Sequence, residues 1–92
     1  MLVFPSKQYR KSLKRVLAGG RIKIGEIDSV IDLISQNNNL PISYHDHPLS
    51  GEWIGHRECH IKPDLLLIYK IEKNILILFL ADIGSHSELF GK

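Results

Sequence analysis

The chain has 92 residues, 43% of them hydrophobic and 24% charged, with 4 Pro, 7 Gly and a single Cys. That length leaves no room for a second core beside one of ~100 residues, and that composition excludes a wholly disordered or collagen-like chain. The formal net charge of +2 hides an asymmetry: Lys7, Arg10, Lys11, Lys14, Arg15, Arg21 and Lys23 stand among the first 23 residues with no acidic neighbour, whereas residues 24–92 carry five basic against ten acidic side chains.

Leu2 to Phe4, closed by Pro5, reads as a first strand at a sheet edge, where proline is tolerated. Ser6 then caps a helix whose apolar residues Tyr9, Leu13, Val16 and Leu17 recur at helical spacing, and Gly19-Gly20 stops it. A second helix runs from about Lys23 to Gln36 on a stripe of Ile24, Ile27, Val30, Ile31 and Ile34, ended by Asn37-Asn38-Asn39 and Pro41. Each helix has one apolar stripe, so the pair forms a hairpin that must cover a sheet. Glu52 to Ile61 mixes polar and apolar residues and reads as a strand with one exposed face. Leu65 to Ile71 and Ile75 to Leu80 are dense in Leu and Ile and read as buried central strands around the polar turn Glu72-Lys73-Asn74. The order is β-α-α-β-β-β: an α+β fold with a helical hairpin packed on a mainly antiparallel sheet, in one domain over residues 1–92.

The longest uncharged apolar run, Ile75 to Ala81, has 7 residues, far short of the ~18 that span a bilayer. Pro5 and a basic stretch follow Leu2 to Phe4, so no secretory apolar region forms. With Cys59 unable to form an intrachain disulfide, a cytoplasmic location is expected. The basic end raises encounter rates with polyanions, which favours nucleic acid or an acidic protein as partner; the plainer alternative is a solvated helix face.

All five histidines follow residue 44: His45, His47, His56, His60 and His86. One reading is metal, with His45-x-His47, His56, Cys59 and His60 as ligands. No Cys-x-x-Cys or His-Glu-x-x-His spacing supports it, and an extended segment would put His56 and His60 on one face and Cys59 on the other. No metal or other cofactor is therefore expected. A second reading leaves the histidines without a common task. The third is acid-base catalysis: cleaving RNA through its own 2′-hydroxyl needs one group to accept a proton, another to donate one, and positive charge on the phosphate. His86 is well placed, because Ser85 and Glu88 have capping-box spacing that makes it the first residue of a short helix after a flexible Gly84. Unpaired amides there would dock a phosphate. Leu89 and Phe90 anchor the turn, and Phe90 could stack on a base. Asp64, after Pro63, either orients His60, takes a proton, or ends its strand in water.

Asp46-His47-Pro48-Leu49, His60-x-x-Pro63-Asp64 and Gly84-x-His86-x-x-Leu89-Phe90, with Tyr44, Gly51, Trp53, Gly55, Arg57 and Leu67-Ile68-Tyr69-Lys70, resemble the YafQ branch of the RelE/ParE toxin superfamily. The resemblance implies a RelE-like fold and the toxin of a type II toxin-antitoxin pair, a ribosome-dependent endoribonuclease that cuts mRNA in the 30S A site without metal. It places the functional residues at His47, His60, Asp64, His86 and Phe90. His86 would act at the leaving oxygen or the phosphate, His47 or His60 would deprotonate the 2′-hydroxyl, and Asp64 would position or share the proton. The basic first helix and Arg57 would face RNA, and a DinJ-like or RelB-like antitoxin would be the partner. Two rivals remain: a non-catalytic ParE-like toxin that binds DNA gyrase, and a metal-binding domain. Leu65 and Asp82 depart from the pattern, which usually has an aromatic residue and a basic one there; Asp82 would weaken stabilisation of a phosphate if it pointed inward.

Overall fold

The computed structural model describes residues 1–36 and 40–91. The elements are β1 (Leu2–Pro5), α1 (Lys7–Ala18), α2 (Ile24–Ser35), β2 (His47–Pro48), β3 (Arg57–Lys62), β4 (Leu65–Glu72), β5 (Ile77–Gly84) and α3 (His86–Phe90), with 3₁₀ turns at Ile42–Tyr44 and Gly51–Trp53. The sheet order is β1-β5-β4-β3-β2; β1 runs parallel to β5 and every other pairing is antiparallel. The expected α+β layout therefore holds, with one short strand added at the far edge.

Ser6 caps α1 by accepting from the Tyr9 amide at 3.0 Å, and its hydroxyl donates to the Ala81 carbonyl at 2.9 Å, tying the helix start to β5. The stripes of α1 and α2 bury Tyr9, Ile27, Val30, Ile31 and Ile34 against Cys59, Leu67, Tyr69, Leu78, Leu80 and Ile83. Because side chains alternate along a strand, Glu58, His60, Leu66 and Ile68 lie on the opposite face, which neither α1 nor α2 covers.

Three boundaries differ from the sequence expectation. The strand expected from Glu52 begins at Arg57, because Gly51 and Gly55 adopt φ of 65° and 88° and fold residues 51–55 into a turn. The last strand starts at Ile77; Ile75 and Leu76 are exposed in the turn and Leu76 has φ of 52°. Gly84 is no flexible exit but a buried strand end, where a Cβ would stand 3.0 Å from Glu88 Oε1 and 3.3 Å from Glu88 Cβ. Its missing side chain lets α3 close onto β5. The asparagine stop after α2 lies outside the described residues.

Leu67 fills the core and Ile75 does not, so their truncations should separate. Leu67→Ala is expected to lower the unfolding free energy in a urea titration by about 2–5 kcal/mol, and Ile75→Ala by no more than about 0.5 kcal/mol. Equal losses would contradict this packing.

Candidate active site

The face opposite α1 and α2 is organised from the sheet edge inward. Asp46 accepts from Arg57 Nε at 2.9 Å and from the Tyr69 hydroxyl, which joins the edge segment to β3 and β4. Burial, reinforced by Asp46, pushes the Tyr69 hydroxyl pKa up, so this donor stays protonated. With Asp46 pinned, His47 pairs with Glu58 across β2 and β3. The turn between the two strands is closed by the Leu49 amide on the His56 carbonyl at 2.9 Å.

Glu58 is only 4% exposed. A buried carboxylate must be hydrogen-bonded or paired, and both partners here are imidazoles: Glu58 Oε1 lies 3.1 Å from His60 Nε2 and 3.4 Å from His47 Nε2. The other nitrogen of His47, Nδ1, is 3.1 Å from the Pro48 carbonyl. A carbonyl can only accept, so Nδ1 is the donor.

The second half of the site comes from α3. Asp64 Oδ1 accepts from the His86 backbone amide at 3.0 Å and from His86 Nδ1 at 2.8 Å. These two bonds, the backbone one foremost, hold the Asp64 carboxyl below the usual carboxylate range. Nδ1 again is the donor, which leaves Nε2 for exchange with a substrate. The capping box predicted at Ser85 and Glu88 is present, with the Glu88 amide 3.2 Å from Ser85 Oγ and the Ser85 amide 2.9 Å from Glu88 Oε1. Arg15 Nε reaches Glu88 Oε2 at 2.8 Å and braces α3 against α1. The His60 and His86 rings meet edge-on at 5.6 Å between centroids, and Phe90 lies 6.4 Å beyond His86. His47, Glu58, His60, His86, Asp64 and Phe90 thus form one run of contacts drawn from β2, β3, the β3–β4 turn and α3.

All five residues proposed from sequence as catalytic meet here. Several finer expectations are corrected. Asp64 orients His86 and not His60, and its carboxylate occupies the amide that was to receive a phosphate. Cys59 is buried on the face opposite His60, as the alternation of an extended strand implied, and its thiol is pushed up to about 12 first by burial and then by Asp46 and Glu58. His56 packs on Trp53 at 5.3 Å, outside this run. Of the basic residues, Arg15 and Arg57 already hold Glu88 and Asp46; Lys7, Arg10, Lys11, Lys14, Arg21 and Lys23 are exposed. Asp82 stands on the face opposite α1 and α2, in the row Glu58–Ile68–Asp82, and accepts from the Ile83 amide at 2.8 Å. Glu58 was missed. Its i, i+2 relation to His60 was the available signal, because it puts both on one face of a strand.

Two open grooves flank the run. One, of about 750 Å³, is lined by Tyr44, His45, His47, His60 and Lys62; the other, of about 510 Å³, by Arg15, Arg21, Lys62, Asp64, Ser85 and Glu88. Lys62 borders both, with its Nζ held 3.0 Å from Glu26 Oε1.

The family model for the bacterial toxin of type II toxin-antitoxin system, YafQ, matches residues 1–91. The chain belongs to the YafQ family. It is 40% identical over 88 residues to the mRNA interferase toxin YafQ of Escherichia coli K12, covering 94% of this chain and 91% of that protein. A metal-bound toxin from Helicobacter pylori superposes with a TM-score of 0.88 at 41% identity, over 98% of this chain and 99% of that one. YafQ in the E. coli DinJ-YafQ complex superposes with a TM-score of 0.82 at 32% identity, over 97% of each chain.

In this YafQ-family site the Asp64 bond to His86 has a definite pH signature. A depressed carboxyl pKa means that the bond contributes above the ordinary carboxylate range and is lost as pH falls through the lowered value. Carboxyl-detected NMR should therefore find Asp64 titrating low. His86→Ala should raise the midpoint only part of the way, because the backbone amide still donates. An unchanged midpoint would contradict the bond.

Proposed function

We propose that this chain is an mRNA interferase that cuts messages bound in the ribosomal A site by proton transfer between Glu58, its two histidines and His86. The observation that carries the reading is the unbroken run of contacts from His47 through Glu58 and His60 to His86 and Asp64. It supplies a proton acceptor and a proton donor side by side.

The 2′-oxygen attacks the adjacent phosphorus as its proton passes to Glu58, whose charge is relayed to His47 and His60. The bond from phosphorus to the 5′-oxygen breaks, and His86 Nε2 gives that oxygen a proton. The products are a 2′,3′-cyclic phosphate and a free 5′-hydroxyl. Asp64 supports the charged ring from which His86 donates, as a carboxylate on Nδ1 does in other acid-base sites. With Asp82 where a cation would help, positive charge on the phosphate falls to the imidazoles. Phe90, next to His86, offers a ring on which a base can stack.

The exposed cations of α1 and of the turn that follows it face ribosomal RNA, where each phosphate contact steepens the salt dependence. The partner that restrains the toxin is a DinJ-like antitoxin; the E. coli relative is known in a DinJ-YafQ complex. Such a pair works in the cytoplasm, and among the described residues no helix is long and apolar enough to cross a membrane.

Purified protein added to translating ribosomes and to naked RNA tests this directly. His47→Ala, His60→Ala, Glu58→Gln and His86→Ala should each slow cleavage on ribosomes by ~10² to 10⁴. Cleavage by His86→Ala at the wild-type rate would refute the assignment.

A further inference from the structure

We propose that His45 holds the message by the phosphate one nucleotide upstream of the scissile one, and so sets the direction in which the strand crosses the site. The proposal rests on the proton-transfer reading above, which assigns the two ends of the scissile bond.

Four rings touch in the order His45, His60, His86, Phe90, with successive centroids 5.4, 5.6 and 6.4 Å apart. In the proton-transfer reading the attacking 2′-oxygen belongs beside Glu58 and His60, and the leaving 5′-oxygen beside His86. Downstream of the cut the strand therefore passes Phe90, and upstream it passes the opposite end of the run. His45 stands at that end, on the wall of a groove that it shares with Tyr44, His47 and His60. His86 serves the scissile phosphate, so the phosphate left for His45 is the next one upstream.

A phosphate there needs a donor with no other bond, and the neighbouring nitrogens are engaged. Lys62 Nζ lies 3.0 Å from Glu26 Oε1, His47 Nδ1 3.1 Å from the Pro48 carbonyl and His60 Nε2 3.1 Å from Glu58 Oε1. His45 is exposed, and no described residue bonds to either of its ring nitrogens. In either neutral tautomer an imidazole has one N–H to give, so the contact needs no change of charge.

The backbone supplies an independent argument. At the end of the 3₁₀ turn Ile42–Tyr44, His45 is left-handed, with φ 49° and ψ 42°. That conformation is unfavourable for a residue with a Cβ and open to glycine, and strain of this kind clusters where a side chain serves a ligand. The turn alone would be better made with glycine; the chain instead carries a ring there, packed edge-on against His60.

The probe is a ribosome programmed with a message whose attacked nucleotide is a 2′-deoxyribonucleotide, which cannot be cut, so binding is read apart from chemistry. Fluorescently labelled His45→Gly should bind it at least ~5-fold more weakly than wild type, yet unfold at no lower a urea concentration. His45→Lys keeps a donor and should recover most of the affinity, whereas His45→Phe keeps only a ring and should not. A neutral methylphosphonate in place of the upstream phosphate should weaken wild-type binding and leave His45→Gly no weaker than before, because both changes remove one contact. Rescue by Phe and not by Lys, or losses that multiply, would overturn the phosphate contact. The same non-additivity with the phosphate downstream of the cut would overturn the direction. Cleavage by His86→Ala at the wild-type rate would refute the acid-base reading alone, since the cycle on uncut message does not depend on it.

Discussion

Glu58 is a buried carboxylate on the face of the sheet that neither α1 nor α2 covers, and its charge sets the terms for the residues around it. Burying an ionised carboxyl costs several kcal/mol unless partners are fixed beside it. Here the partners are His47 and His60, and each is fixed for a separate reason. His60 follows two residues later on the same strand. His47 arrives across β2 and β3, and it stays there because Asp46 is bonded to Arg57 and Tyr69. The pairing that solves a desolvation problem is also the pairing that a proton relay needs.

The division of the sheet into two faces makes this possible. Helices α1 and α2 cover one side, and the other side buries Leu66, Ile68 and Glu58 by its own contacts. Cys59 and Leu67 face the core while Glu58 and Leu66 face away. The short α3 then returns over β5, guided by the bare Cα of Gly84 and braced by Glu88 against Arg15. This brings His86 to the His60 ring, and Asp64 locks its orientation from the β3–β4 turn. Strand and helix elements thus carry the proposed catalytic groups on both sides of the run, which is how such constellations keep their geometry.

Most of the scaffold was legible because the helices and the two central strands obey simple periods. The stripe from Ile27 to Ile34 and the runs after Leu65 announce burial on their own. Legibility failed where apolar residues lie in turns. Trp53 and Ile54 extended the expected third strand backward, and Ile75 and Leu76 extended the last one, although positive φ at Gly55 and Leu76 bends the chain at both places. A two-residue strand such as β2 has no period to read. In the site, histidine spacing and the Ser85 cap exposed His86, and the resemblance supplied the remainder of the set. Glu58 stayed hidden because, between Arg57 and Cys59, it looks like an ordinary solvated acid. Its role is created by a cross-strand neighbour eleven positions earlier, a relation that exists only once the chain has folded. Cys59, close in sequence to the histidines, lies on the other side of the sheet, as the alternation of an extended strand implied.

The central claim is that His47 and Glu58 act as one unit, and a double-mutant cycle of His47→Gln and Glu58→Gln, read as cleavage rate on programmed ribosomes, tests it most directly. Residues that share a single task show strongly non-additive losses. The double variant should be no slower than the worse of the two single ones. Losses that multiply would mean that the two side chains work independently, and the account of a shared proton between them would be wrong.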